Sequence, residues 1–192
     1  MPEGTPALDS YPNLSYAIQE RMQMGQTPDQ IKPGLYKLPG KQVSYYWFGS
    51  PTQIDLAAEV ERMPQSLVLT LLGKNPQLKT GAPYASDLYV GIVEDSDLSL
   101  LVSDEKLSDE GLKVWKRLVQ QGYGVTVFDK HEPGATRETF TSSDQLDQFF
   151  KKGNAQMRRY RYVLSKPREQ LWETVSAFNT RRYRELAGME NP

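Results

Sequence analysis

The sequence predicts a mixed α/β domain: an antiparallel meander, then helix–strand–helix–strand, with a C-terminal helix. Three observations carry that reading. Residues 43–72 hold three strand-like runs separated by short polar turns. Leu98 to Asp129 reads as strand–helix–strand, with a polar break at Ser103-Asp104 closing the first strand. Arg159 to Leu164 then alternates as a late strand, with Tyr160, Tyr162 and Leu164 on one face.

The elements follow in order. Residues 1–34 are rich in Pro and Gly and read as an N-terminal arm with one short helix around Leu14 to Met24. The α/β domain spans 35–166. Val43 to Phe48 is aromatic and β-branched. Ile54 to Met63 places Leu56, Ala58 and Val60 on one side, and Ser66 to Leu72 completes the meander after a Pro64-Gln65 turn. Gly73 to Pro83 is a polar loop, and Tyr84 to Asp95 a helix with Leu88 and Ile92 facing a core. A second helix opens at Ser108, carries Leu112, Trp115, Leu118 and Val119 at helical spacing, and ends at Gly122. Val125 to Phe128 is a strand and Asp129 to Thr141 a loop. Ser142 or Ser143 caps a short helix with Leu146, Phe149 and Phe150. Pro167 suits the first turn of the last element, a basic helix over 167–192.

Composition narrows the chemistry. The chain of 192 residues has no cysteine and one histidine, His131, in a loop. Disulfides, thiolate nucleophiles and His-cluster metal sites are thereby excluded. No apolar run approaches the roughly 20 residues of a membrane span, and the N-terminus lacks the pattern of a signal peptide. A cytoplasmic protein is the expectation; a virion component would have the same composition. Residues 151–192 hold ten Lys and Arg against four Glu, net +6, while the whole chain is −1, so residues 1–150 carry −7. That asymmetry points the C-terminal part at an acidic protein surface, or at further copies of this chain in an assembly. Arg158-Arg159-Tyr160-Arg161-Tyr162 and Arg181, Arg182 and Arg184 also suit nucleic acid, by phosphate neutralisation and stacking. The alternation there would pack Tyr160 and Tyr162 inward and turn Arg159 and Arg161 outward.

From about Val43 to Leu164 the order of elements resembles the GNAT acetyltransferase superfamily, in particular phage-encoded GNAT-like proteins. Ser103-Asp104, the helix segment GLKVWKRL (Gly111 to Leu118) and Gly122 look like that family's polar strand end and following helix. GKNPQLKTGAPYASDLY (Gly73 to Tyr89) is similar in position to its acyl-CoA pyrophosphate loop. The resemblance implies acyl-CoA-dependent N-acetyl transfer to an amine of a small molecule or protein, with acetyl-CoA as cofactor and no metal. Gly81, Ala82, Tyr84 and Ala85 would hold the pyrophosphate through backbone N–H groups and a helix N-terminus. Glu59 or Glu61, on the second meander strand, would act as general base. Trp115 stands where many members have a tyrosine acid, so Tyr123 or Tyr89 would protonate the leaving thiolate. Ser103 and Asp104 would orient substrate.

Each of these residues also has a plain structural use. Glu59 and Glu61 suit a solvated strand face. Asp104 suits a strand end, and Ser108 with Asp109 and Glu110 suits a helix start. The loop departs from the family pattern, with Pro83 removing a donor. The alternative function is therefore a catalytically inactive binding or assembly protein of the same fold, structural in a phage or directed at its host. An enzyme is expected to show a V-shaped opening between the strands ending near Leu72 and starting near Leu98; an assembly protein is expected to fill it with side chains.

Overall fold

The computed structural model describes residues 6–78, 81–98, 100–104, 107–129, 138–149 and 160–165. Helix α1 (Pro6–Gln23) is followed by five strands: β1 (Asp29–Lys32), β2 (Leu35–Leu38), β3 (Val43–Gly49), β4 (Ile54–Arg62) and β5 (Leu67–Lys74). Then come α2 (Ala85–Asp95), β6 (Leu100–Val102), α3 (Asp109–Gln120), β7 (Val125–Asp129) and β8 (Glu138–Phe140). A 3₁₀ segment (Ser143–Phe149) and β9 (Tyr160–Ser165) complete the described chain. The strands form one mixed sheet in the order β1-β2-β3-β4-β5-β6-β9-β7-β8. All neighbours are antiparallel except β5 and β6, which run parallel.

Strand alternation divides the core between the two sheet faces. On one face α1 lays Leu14 and Ile18 over Leu38, Tyr45, Trp47, Ile54 and Ala57. On the other, Tyr46, Leu56, Ala58 and Val60 meet Leu88 and Ile92 of α2 and Leu112, Trp115 and Leu118 of α3. The expected side of β4, with Leu56, Ala58 and Val60 together, is the helix-covered face. Helix α3 keeps its predicted start and stripe: Ser108 caps it by accepting from Gly111 N, and Gly122 leaves it at φ +88°.

Two regions depart from the sequence reading. The segment expected as an arm supplies α1, β1 and the turn into β2. Its helix runs back through Pro12 because tertiary contacts hold its first turns: Tyr11 Oη donates to Ile54 O (2.6 Å), and its backbone lies against Gly73. Residues 29–38 form a hairpin whose turn contains Gly34 at φ +75°. The loop expected over 129–141 contains β8, whose Thr139 pairs with Thr126. The basic 167–192 helix, His131, Arg158, Arg159, Arg181, Arg182 and Arg184 lie outside the described residues. Among the described residues no helix is long and apolar enough to cross a membrane.

Candidate functional site

The parallel strands β5 and β6 pair only at Leu67↔Leu101 and Val68↔Val102. Beyond that point they part. Ser103 N donates to Tyr162 O (2.8 Å), so the chain after β6 follows β9, while β5 runs on to Lys74 beside β4. The gap is a cavity of about 470 Å³. It lies at the carboxyl ends of two parallel strands, where each strand's following helix begins, the usual ligand position in α/β sheets. Its volume falls within the few hundred Å³ typical of small-molecule sites.

Four groups of residues wall it. Leu69 to Leu72 and Lys74 are the edge of β5; Pro83, Tyr84 and Ala85 open α2; Asp104, Leu107, Ser108 and Gly111 lead into α3; Tyr89 and Trp115 close the floor. The start of α2 has no side-chain cap, since Tyr84 occupies the capping position. No side chain caps the amides of the first turn and the helix dipole favours negative charge here, although the Asp87 carboxylate of the same turn already takes part of that field. Lys74 Nζ donates to Gly81 O (2.6 Å) and keeps a cation beside it. The Arg117 guanidinium sits 3.7 Å from the centroid of the Tyr84 ring and fixes that side chain at the rim.

Thr70 is a bulge residue. Val60 pairs with Leu69 and Glu59 with Leu71, leaving Thr70 as the extra residue on β5. Bulges re-aim side chains and recur beside active sites. Here the Thr70 hydroxyl donates to Glu59 Oε1 at 2.7 Å. On the floor, the Tyr89 ring lies 5.6 Å from Trp115, and Trp115 lies 5.8 Å from Tyr162. Burial, and then the charge of Asp104, push the Tyr89 phenol well above its ordinary pKa, so it stays protonated.

The expected site residues are only partly brought together. Tyr84, Ala85 and Asp104 line the cavity. Glu59 reaches it through Thr70. Glu61 does not: it accepts from Gln42 Nε2 (2.8 Å) at the surface. Gly81 and Ala82 are exposed and stand outside the lining. Tyr123 follows α3, whose other end faces the cavity. It sits near Glu94 and Asp87, whose charges, after burial, raise its phenol pKa. Tyr123 is not among the residues that line the cavity, whereas Tyr89 is. Ser103 is structural: buried, it donates to Asp104 O (3.2 Å) and accepts from Tyr162 N (3.1 Å). Arg161 does not face solvent; it is 7% exposed and donates to Ser103 O (3.3 Å). Tyr160 and Tyr162 pack inward as the alternation requires. Thr70 and Lys74 had no signal in the sequence, because a bulge and a splay are properties of strand pairing. Among the described residues no group of three or more His, Cys, Asp or Glu is placed to hold a metal ion.

Comparison with protein families, with curated proteins and with solved structures finds no match to the chain.

Proposed function

We propose that this protein is an acyl-CoA-dependent N-acyltransferase with a GNAT-like arrangement of strands, acting on an amine. The observation that carries the reading is the splay of β5 from β6 over a cavity with an uncapped helix start at one end. Among the described residues, no strand pairs with the β6-facing edge of β5 from Leu69 to Lys74. An extended ligand with amide groups satisfies such an edge as an added strand would. The amides of a pantetheine arm have that form. The start of α2, with Lys74 beside it, suits a pyrophosphate.

The chemistry then divides among the lining residues and Glu59, which lies behind Thr70. An acyl thioester seated near Thr70 is attacked by the acceptor nitrogen, and the C–S bond breaks. Tyr89, protonated and buried, supplies the proton that the leaving thiolate takes. Glu59 is the carboxylate available as base, and Asp104 and Glu110 favour an acceptor with positive charge.

Calorimetric titration with acetyl-CoA tests the reading. Binding at micromolar to submillimolar concentration, weakened by K74M, is expected. No binding at millimolar acetyl-CoA overturns it.

A further inference from the structure

We infer that Thr70 is a catalytic residue, relaying a proton from the acceptor nitrogen in the cavity to Glu59. The inference rests on the acyl-transfer reading above. Glu59 is half-buried on β4 and is not part of the cavity wall, whereas Thr70 is. The two are joined by a short hydrogen bond, Thr70 Oγ1 to Glu59 Oε1 at 2.7 Å, the length of a bond strengthened by charge. The same hydroxyl lies 3.2 Å from Glu59 O, so both of its neighbours on β4 are acceptors and its proton is directed away from the cavity. A hydroxyl has one proton to give and two lone pairs. With its proton committed to Glu59, Thr70 offers a lone pair to a donor in the cavity. The bulge creates this arrangement, since regular pairing would not set an extra residue between Glu59 and the open edge.

The step balances as follows. The neutral amine nitrogen forms a bond to the acyl carbon as the C–S bond breaks. The surplus proton on nitrogen passes to Thr70 Oγ1 while the Thr70 proton passes to Glu59 Oε1. The thiolate takes a proton from Tyr89. Glu59 then returns its proton to solvent, and Tyr89 regains one from solvent. The products are the amide and the free thiol.

The test is release of free thiol from acetyl-CoA with spermidine, ethanolamine and a tripeptide as acceptors, for wild type, T70V, T70S, E59Q and T70V/E59Q. Acetyl-CoA affinity and the melting temperature are measured on each. Valine keeps the shape of threonine and removes the hydroxyl. T70V is expected to lower kcat about 100-fold, the usual size of a general-base contribution, with acetyl-CoA affinity unchanged. T70S is expected to restore most of the rate, and the double variant to be no slower than E59Q, because both changes break one path. Wild-type kcat in T70V, with turnover present, overturns the relay and leaves acyl transfer standing. A slow T70S of wild-type stability also overturns the relay. Absence of thiol release in the wild type overturns acyl transfer and the relay with it.

Discussion

Replacing Gly73 by alanine tests how the first helix is held to the sheet. Gly73 is buried on β5, opposite Ala57 of β4, where α1 crosses the sheet. A Cβ at this position would lie 2.6 Å from both Cα and N of Tyr11 and 3.0 Å from its Cβ. Carbon atoms rest about 3.5–4.0 Å apart, so the Tyr11 backbone must retreat by about 1 Å. Neither side yields as a side chain would. β5 is fixed by its ladder to β4, and α1 by Leu14 and Ile18, both fully buried. Overpacking of this kind costs about 1–3 kcal/mol. For a chain of this size that lowers Tm by roughly 2–12 °C. The retreat also disturbs the bond from Tyr11 Oη to Ile54 O. Y11F should therefore cost about 1 kcal/mol in the wild type and clearly less in G73A. Thermal unfolding by circular dichroism of the four proteins measures both effects. A G73A protein melting within about 1 °C of wild type, or strict additivity with Y11F, refutes the packing described.

Three further outcomes are expected. If the proposed acyl transfer holds, Y89F lowers its kcat by about 100-fold with little change in acetyl-CoA affinity, measured by thiol release and calorimetry; an unchanged kcat removes Tyr89 as the acid. Tyr46, Tyr89 and Tyr162 are buried, and burial first, then the charges of Asp95, Asp104 and Asp147 respectively, raises each phenol pKa. Above about pH 10 the unfolded chain then loses protons that the folded chain keeps, so stability intact below that pH falls as pH rises, by about 1.4 kcal/mol per pH unit per group. Urea midpoints at pH 9 and pH 10.5 measure this, and Y46F should flatten the fall. S108A removes the cap bond from Gly111 N (3.0 Å) and should cost about 1 kcal/mol in a urea titration; no loss means that the α3 start is satisfied otherwise.

Local pattern made much of this molecule readable. Helix α3 carries its own signals: Ser108 before it, Leu112, Trp115, Leu118 and Val119 along one stripe, and Gly122 after it. All act within a few residues, and all are found in place. The inward side of β4 follows from period-2 alternation in the same way. Helix α2 was legible as a helix but not in its setting. Its last turn holds Glu94 and Asp95 with no basic residue, an arrangement that opposes the helix dipole. Only the fold supplies the answer, from Lys37 Nζ and Tyr46 Oη, each on Asp95 Oδ2 at 2.8 and 2.9 Å. Arg161 was misread because alternation tells which face a residue takes and not what covers that face.

The sequence by itself determined the strand and helix periods and the ends of α3, because those depend on neighbours a few positions away, while it left Glu59 and Glu61 as equal candidates. Tertiary structure alone decided that 6–38 joins the sheet, that β5 and β6 part after two residue pairs, and that Thr70 stands between Glu59 and the cavity. The physical reason is the same in each case. Pairing register, bulges and close backbone approach are relations between segments distant in the chain, and no local periodicity encodes them.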